Sequence, residues 1–255
     1  APGRSPRAGG SRGVPPGFFV AKKGGGAYTE LYMRVCFVSG GSFSEYAESA
    51  ADEADVVVCG FQSLGEVSYE RELRGETACF ADVAILSREK KCTVFAGCFT
   101  DARGIRRKSV VAAERGRILG VSDMVNRIDG GEYRAGAGVK IYDTASGKLG
   151  VVVAEDLYFP RVVETLSVCG AELAVCVFEQ FGDGLEQLLA RAHAFFCGIP
   201  VLLCGYGYAL AADAGGKVAF ASSVSPCCFE LEREQEFHLV ETRRRGFSKT
   251  RRKEF

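Results

Sequence analysis

Histidine is nearly absent from this 255-residue chain, with two copies, and none of the eleven cysteines forms a C-x-x-C pair. A His-rich metal centre or a structural zinc site therefore lacks its usual ligands and spacing. Charge of one sign is missing too: 32 Lys+Arg face 32 Asp+Glu, so no global field marks a nucleic-acid or membrane binder. Long hydrophobic runs are equally lacking. The apolar stretches at residues 56–59 and 149–154 fall far short of the roughly 20 residues that span a bilayer. No metal, no cofactor and no membrane helix are expected. The cysteines are odd in number, and several lie inside apolar runs (Cys36, Cys59, Cys98, Cys176, Cys204), where they read as small core hydrophobes. Without a signal-peptide apolar region, a reducing, cytoplasmic location is the expectation.

What the chain does have is 47% hydrophobic side chains, enough for one substantial core. Residues 1–32 are rich in Gly, Pro and Arg with little to bury and read as a disordered leader; a basic arm is the sharper alternative, and Met33 is a candidate natural start. From there to about residue 242, short β-branched runs alternate with helical periods, the pattern of a layered α/β domain. Strands are expected at 34–39, 55–61, 93–99, 108–113, 117–121, 139–143, 148–153, 173–178 and 200–204. Helices are expected over 69–90 (inner stripe Leu73, Thr77, Phe80, Ala84), from Pro160 to Gly170, and over 184–197. In the last, Leu185, Leu188, Leu189, Ala192, Phe195 and Phe196 recur at helical spacing behind Asp183 as N-cap, with Gly198 and Pro200 as stop. Two hairpin-like stretches, around Arg115-Gly116 and Ser146-Gly147, favour a mixed sheet or two facing sheets over a purely parallel one. A basic tail, residues 243–255, closes the chain. Such a run can grip phosphates, or it can serve as a structural extension, the preferred reading; nucleic acid is not the expected partner.

The segment YDTASGKLGVVVAEDLYFP (residues 142–160), followed by GAEL (170–173) and RA (191–192), resembles the carbon-nitrogen hydrolase, or nitrilase, superfamily. In that family a G-V-x-I strand leads to a cysteine, x-D-x-x-F-P opens a helix, G-A-D-L starts the next strand and R-A lies in the helix after it. ADVVV (54–58) resembles the second strand of the family. The resemblance covers about residues 33–247 and implies a four-layer αββα sandwich, with dimerisation through the helices bearing Pro160 and Arg191.

The chemistry of the family needs a thiolate nucleophile, a glutamate base and an oxyanion-stabilising lysine, often with a second glutamate that holds the substrate amine. Here the nucleophile position holds Ala154. The base position holds Phe61, in CGFQSL where the family has F-P-E-L-S-L, or Gln62 after a one-residue slip. The lysine position, in SDMVN rather than Y-D-K-x-N, holds Met124, and Glu132 alone matches the second glutamate. The resemblance thus implies a degenerate member: a pseudoenzyme acting as a small-molecule-binding or subunit-interaction protein. Its pocket would be lined by Phe61, Gln62, Met124, Glu132, Ala154 and Glu155, suiting an uncharged or amine-bearing ligand. The partner would be a second copy or an active homologue, with Arg191 and His193 at the interface. The alternative is an active amide hydrolase using Glu155 or Asp156 in a non-standard constellation. Asp156 itself is expected to accept backbone N–H groups at the start of the following helix, and His193 to lie on the surface.

Overall fold

The computed structural model describes residues 32–48, 54–128, 131–180, 182 and 184–233. Its strands, in chain order, are β1 (Tyr32–Val38), β2 (Val56–Cys59), β3 (Glu66–Ser68), β4 (Thr93–Ala102), β5 (Ile105–Glu114), β6 (Arg117–Asp123), β7 (Lys140–Thr144), β8 (Gly147–Val153), β9 (Leu173–Val177), β10 (Val201–Gly205), β11 (Tyr208–Ala212), β12 (Val218–Ser222) and β13 (Cys227–Glu232). The helices are α1 (Phe43–Glu48), α2 (Tyr69–Leu73), α3 (Cys79–Glu89), α4 (Pro160–Val168) and α5 (Leu185–Cys197), with a 3-10 turn at Ala154–Tyr158. One sheet runs β13-β1-β2-β4-β5-β6, with β3 paired to β4, and the other runs β12-β11-β10-β9-β8-β7. The sheets face each other, with α1 and α3 outside the first and α4 and α5 outside the second. This is the expected αββα sandwich.

The alternation of strand side chains explains the layers. On β1, Val35 and Phe37 enter the core between the sheets while Cys36 and Val38 face α1 and α3; on β2, Val56 and Val58 point inward and Val57 and Cys59 outward. On β8, Val151 and Val153 point inward and Val152 packs under α4 and α5. Each central strand is apolar on both faces, which is why these segments read as unbroken hydrophobic runs.

The nine expected strands are present with shifted ends. Strands β11 and β12 were not anticipated, because YALAA and VAFAS are alanine-rich and carry little β signal; the short β3, helix α1 and the partly acidic β13 were missed as well. The single helix expected over 69–90 is two. Gly75, at φ 71°, lets the chain turn out of α2, and the restart rotates the buried stripe to Val83 and Leu86, leaving Leu73 87% exposed. Asp183, expected as N-cap, and the 243–255 tail lie outside the described residues, and Gly184 holds the cap position of α5. The cysteine reading needs one correction: Cys36 and Cys228 oppose one another in the β1–β13 register and form a disulfide. Sequence spacing could not pair residues 192 apart. Cys59, Cys98, Cys176 and Cys204 are buried free thiols, each with its pKa raised by burial.

Candidate functional site

The parallel strands β2, β4, β8 and β9 end at one edge of the sandwich, where α/β folds place ligands. There β8 turns abruptly into Ala154, the 3-10 turn and then Pro160 at the head of α4. Ala154 has φ 48°, a left-handed conformation that costs a non-glycine residue about 1 kcal/mol or more. The strand-to-helix corner is tight, and its side chain is a methyl group with no exposed surface and no atom able to form an acyl intermediate. Asp156 accepts hydrogen bonds from the Val125 N–H (2.9 Å), the Asn126 N–H (2.8 Å) and the Asn126 side-chain amide (2.9 Å). It is a buried acceptor as expected, yet it holds the segment after β6 instead of the head of α4. Burial raises its pKa, against the lowering effect of those donors.

Phe61 and Met124 join Ala154 in the buried cluster between the sheets. Phe61 follows β2, and its ring lies 5.1 Å from that of Phe99, which lies 5.5 Å from Tyr133. Gly97 makes room for it, since a Cβ there would stand 2.9 Å from the Phe61 nitrogen. Met124 is tied at both ends of its backbone, its N–H to Lys108 O (2.9 Å) and its carbonyl to the Gly136 N–H (2.8 Å). With Phe61 and Ala154 fully buried and Met124 4% exposed, these three positions are packed as core.

Sequence reasoning missed Lys108. It is the β5 neighbour of Met124 across the β5–β6 ladder, and its ammonium lies 2.5 Å from Glu155 Oε1 and 2.9 Å from Glu179 Oε2, with the Tyr133 ring 5.4 Å away. Burial alone would push this lysine down, but the hydrogen bonds it donates to both carboxylates outweigh that and hold its pKa above the ordinary range. The available signal was a lysine one serine ahead of the apolar run 110–113, since lysines are almost never buried unless paired. Glu155 Oε2 is buried without a hydrogen-bond partner among the described residues. The edge therefore offers an ammonium held between two carboxylates, and no nucleophile at the corner.

The other expected residues are dispersed. Glu132 is exposed and paired with Arg106 at 2.6 Å, which also binds Glu66 at 2.6 Å, and Gln62 is exposed. On α5 the expected stripe is largely displaced: Leu189 packs against the outer core as expected, but the buried residues are Glu186, Ala190, His193 and Ala194, while Leu188 and Phe196 are 60% and 69% exposed. The polar groups tolerate burial because they are partnered. His193 Nε2 meets Leu157 O at 2.8 Å and the Tyr158 hydroxyl donates to Glu186 Oε1 at 2.5 Å, so α5 props the 3-10 turn from behind. His193 is therefore not the surface residue expected of it. Arg191 is exposed, and its Nε donates to Gly216 O. Among the described residues no group of three His, Cys, Asp or Glu could hold a metal ion, and no helix is long and apolar enough to cross a membrane.

No known family profile matches the sequence. No curated protein matches it either. Solved structures do. A cysteine-to-alanine mutant of the Nesterenkonia AN1 amidase from the nitrilase superfamily aligns at TM-score 0.67 and 16% identity, over 79% of this chain and 90% of that one. A carbon-nitrogen hydrolase from Helicobacter pylori G27 aligns at 0.65 and 18%, over 80% and 90%. The cysteine-to-alanine amidase in complex with butyramide aligns at 0.65 and 15%, over 79% and 91%. At such identities the likeness concerns architecture, and it establishes that this chain has the fold of the nitrilase-superfamily amidases.

Proposed function

We propose that the protein is a nitrilase-fold pseudoenzyme whose role rests on its surfaces, as a subunit-interaction protein. The observation that carries the reading is the packing of Phe61, Met124 and Ala154 into one buried apolar cluster, where the resemblance would require a carboxylate, an ammonium and a thiol. Removing all three leaves at most the background from binding and orientation. An uncharged or amine-bearing ligand would enter between Tyr133 and Glu155 and displace the aromatic stack. Glu155 Oε2, lacking a donor, is the group such a ligand would satisfy.

The partner we propose is a second copy, or an active homologue, across the outer faces of α4 and α5. What supports this is the apolar surface there, with Val168, Leu188 and Phe196 all more than half exposed on helices whose other faces are buried. Arg191 would lie at its rim, and the basic run from Arg243 would extend over the neighbour. A cytoplasmic location remains part of this proposal. Light scattering at micromolar concentration should give twice the 27.3 kDa chain mass, with Leu188→Glu/Phe196→Glu weakening association at least tenfold. A strictly monomeric wild type would refute the homodimer, and failure to capture an active nitrilase-fold partner would then refute the heterodimer.

A second reading, an amide hydrolase of unorthodox mechanism, is favoured by one observation: Lys108 between Glu155 and Glu179, beside the corner. There a carboxylate would activate water and the ammonium would stabilise the oxyanion. Ammonia release from amides that is abolished by Lys108→Met separates it from the first reading.

A further inference from the structure

The opposite edge of the sandwich, at the amino ends of the same parallel strands, holds a cleft of about 470 Å³ lined by Asp55, Arg88, Lys91, Glu114, Arg115 and Ser146, among others. Its walls come from the start of β2, the last turn of α3 and the residues after it, the β5–β6 turn and the β7–β8 turn. We propose that this cleft is a binding site for a small phosphate-bearing molecule, held by Arg88, Lys91 and Arg115.

Both carboxylates are committed to the protein: Asp55 Oδ2 accepts the Arg34 N–H at 2.8 Å, and Glu114 Oε1 accepts the Thr93 hydroxyl at 2.7 Å and the Ala145 N–H at 2.9 Å. The three cations are not. None forms an ion pair or a side-chain hydrogen bond with a described residue, whereas Lys108 at the other edge has two carboxylates. The lining thus carries three cations against two carboxylates, an excess of one positive charge, and a cleft focuses that field. The negative end of α3 accounts for a cation in or just beyond its last turn. It does not account for Arg115, which comes from a hairpin.

Backbone conformation supplies a second observation. Lys91 and Arg115 have φ 54° and 53°, positions that glycine or asparagine occupy at about 1 kcal/mol less cost. The stem of Arg88 lies along Gly116, where a Cβ would stand 3.4 Å from Arg88 Cβ and Cδ, so the last turn of α3 packs against the hairpin turn that carries Arg115, and both arginines line the cleft. Two guanidinium forks and an ammonium match the oxygens of a phosphate or diphosphate. The volume lies within the range of small-molecule sites.

Pyrophosphate, titrated calorimetrically into the full chain at matched ionic strength, is the probe. Saturable binding is expected, with affinity at least tenfold weaker in Lys91→Asn/Arg115→Asn. Asparagine suits the left-handed backbone, so the variant should melt no lower than wild type, which keeps loss of binding distinct from loss of fold. Absence of saturable binding to the wild type, or equal affinity in the double variant, would overturn the proposal, as would a response that potassium chloride of equal ionic strength reproduces.

Discussion

The two edges of the sandwich handle charge and space in opposite ways. At the carboxyl ends of the parallel strands Lys108 is matched by Glu155 and Glu179, and the rings of Phe61, Phe99 and Tyr133 occupy the space beside them. At the amino ends Arg88, Lys91 and Arg115 surround open space with no carboxylate paired to them among the described residues. Folds of this class ordinarily bind ligands at the first edge. The difference teaches that one fold can hold a strained strand-to-helix corner, here Ala154 at φ 48°, inside packed core at one edge while it leaves an open, charged cleft at the other.

The comparison can be tested by breaking each edge in turn. Phe61→Ala should have the largest effect, a loss of about 3–5 kcal/mol from a cavity in the inter-sheet core, whereas Arg88→Ala at the open edge should stay within about 0.5 kcal/mol. Chemical denaturation of both variants measures this, and comparable losses would mean that the first edge is not packed as core. Lys108→Met should come next, at about 3 kcal/mol, because it leaves two carboxylates facing each other without their cation. Its pH dependence has a definite sign. The pKa of Lys108 is raised above the ordinary 10.5, so its pairing stabilises fully below that value and is lost as the pH rises through the folded value. The gap between wild type and Lys108→Met should therefore be constant from neutrality to about pH 10 and shrink above it.

The smallest effect belongs to the prop behind the corner. Burial holds the His193 imidazole below its ordinary 6.5, so the unfolded chain takes up a proton first. Stability is then full above pH 6.5 and falls as the pH drops through it, by at most about 1.4 kcal/mol per pH unit. His193→Gln, which retains a donor for Leu157 O, should flatten this slope in thermal melts between pH 7 and 5. An unchanged slope would mean that His193 is not the group responsible.

Much of this molecule was legible in the sequence because its central strands are buried on both faces. Runs such as VVVC and LAVCV admit few other readings, and the G-V-V-V-A-E-D-L-Y-F-P stretch located the corner at Ala154. The orientation of α5 was not legible. Hydrophobic periodicity pointed Leu188 and Phe196 inward, but the turn behind Ala154 exposes a carbonyl and a hydroxyl that need partners, and His193 and Glu186 supply them. Lys108 escaped for a related reason: its partners arrive from residues 155 and 179, just beyond the ends of β8 and β9 of the other sheet. Contacts set by long-range strand pairing, like the Cys36–Cys228 pair, leave no local trace in the chain either.

Ammonia release from butyramide and acrylamide, by the wild type, by Ala154→Cys and by Phe61→Glu/Met124→Lys/Ala154→Cys, tests the central claim most directly. The account predicts no release above buffer from the wild type or from Ala154→Cys, whose thiol would meet an apolar site that raises its pKa, and measurable turnover only in the triple variant. Release by the unmodified protein, lost in Lys108→Met, would contradict it.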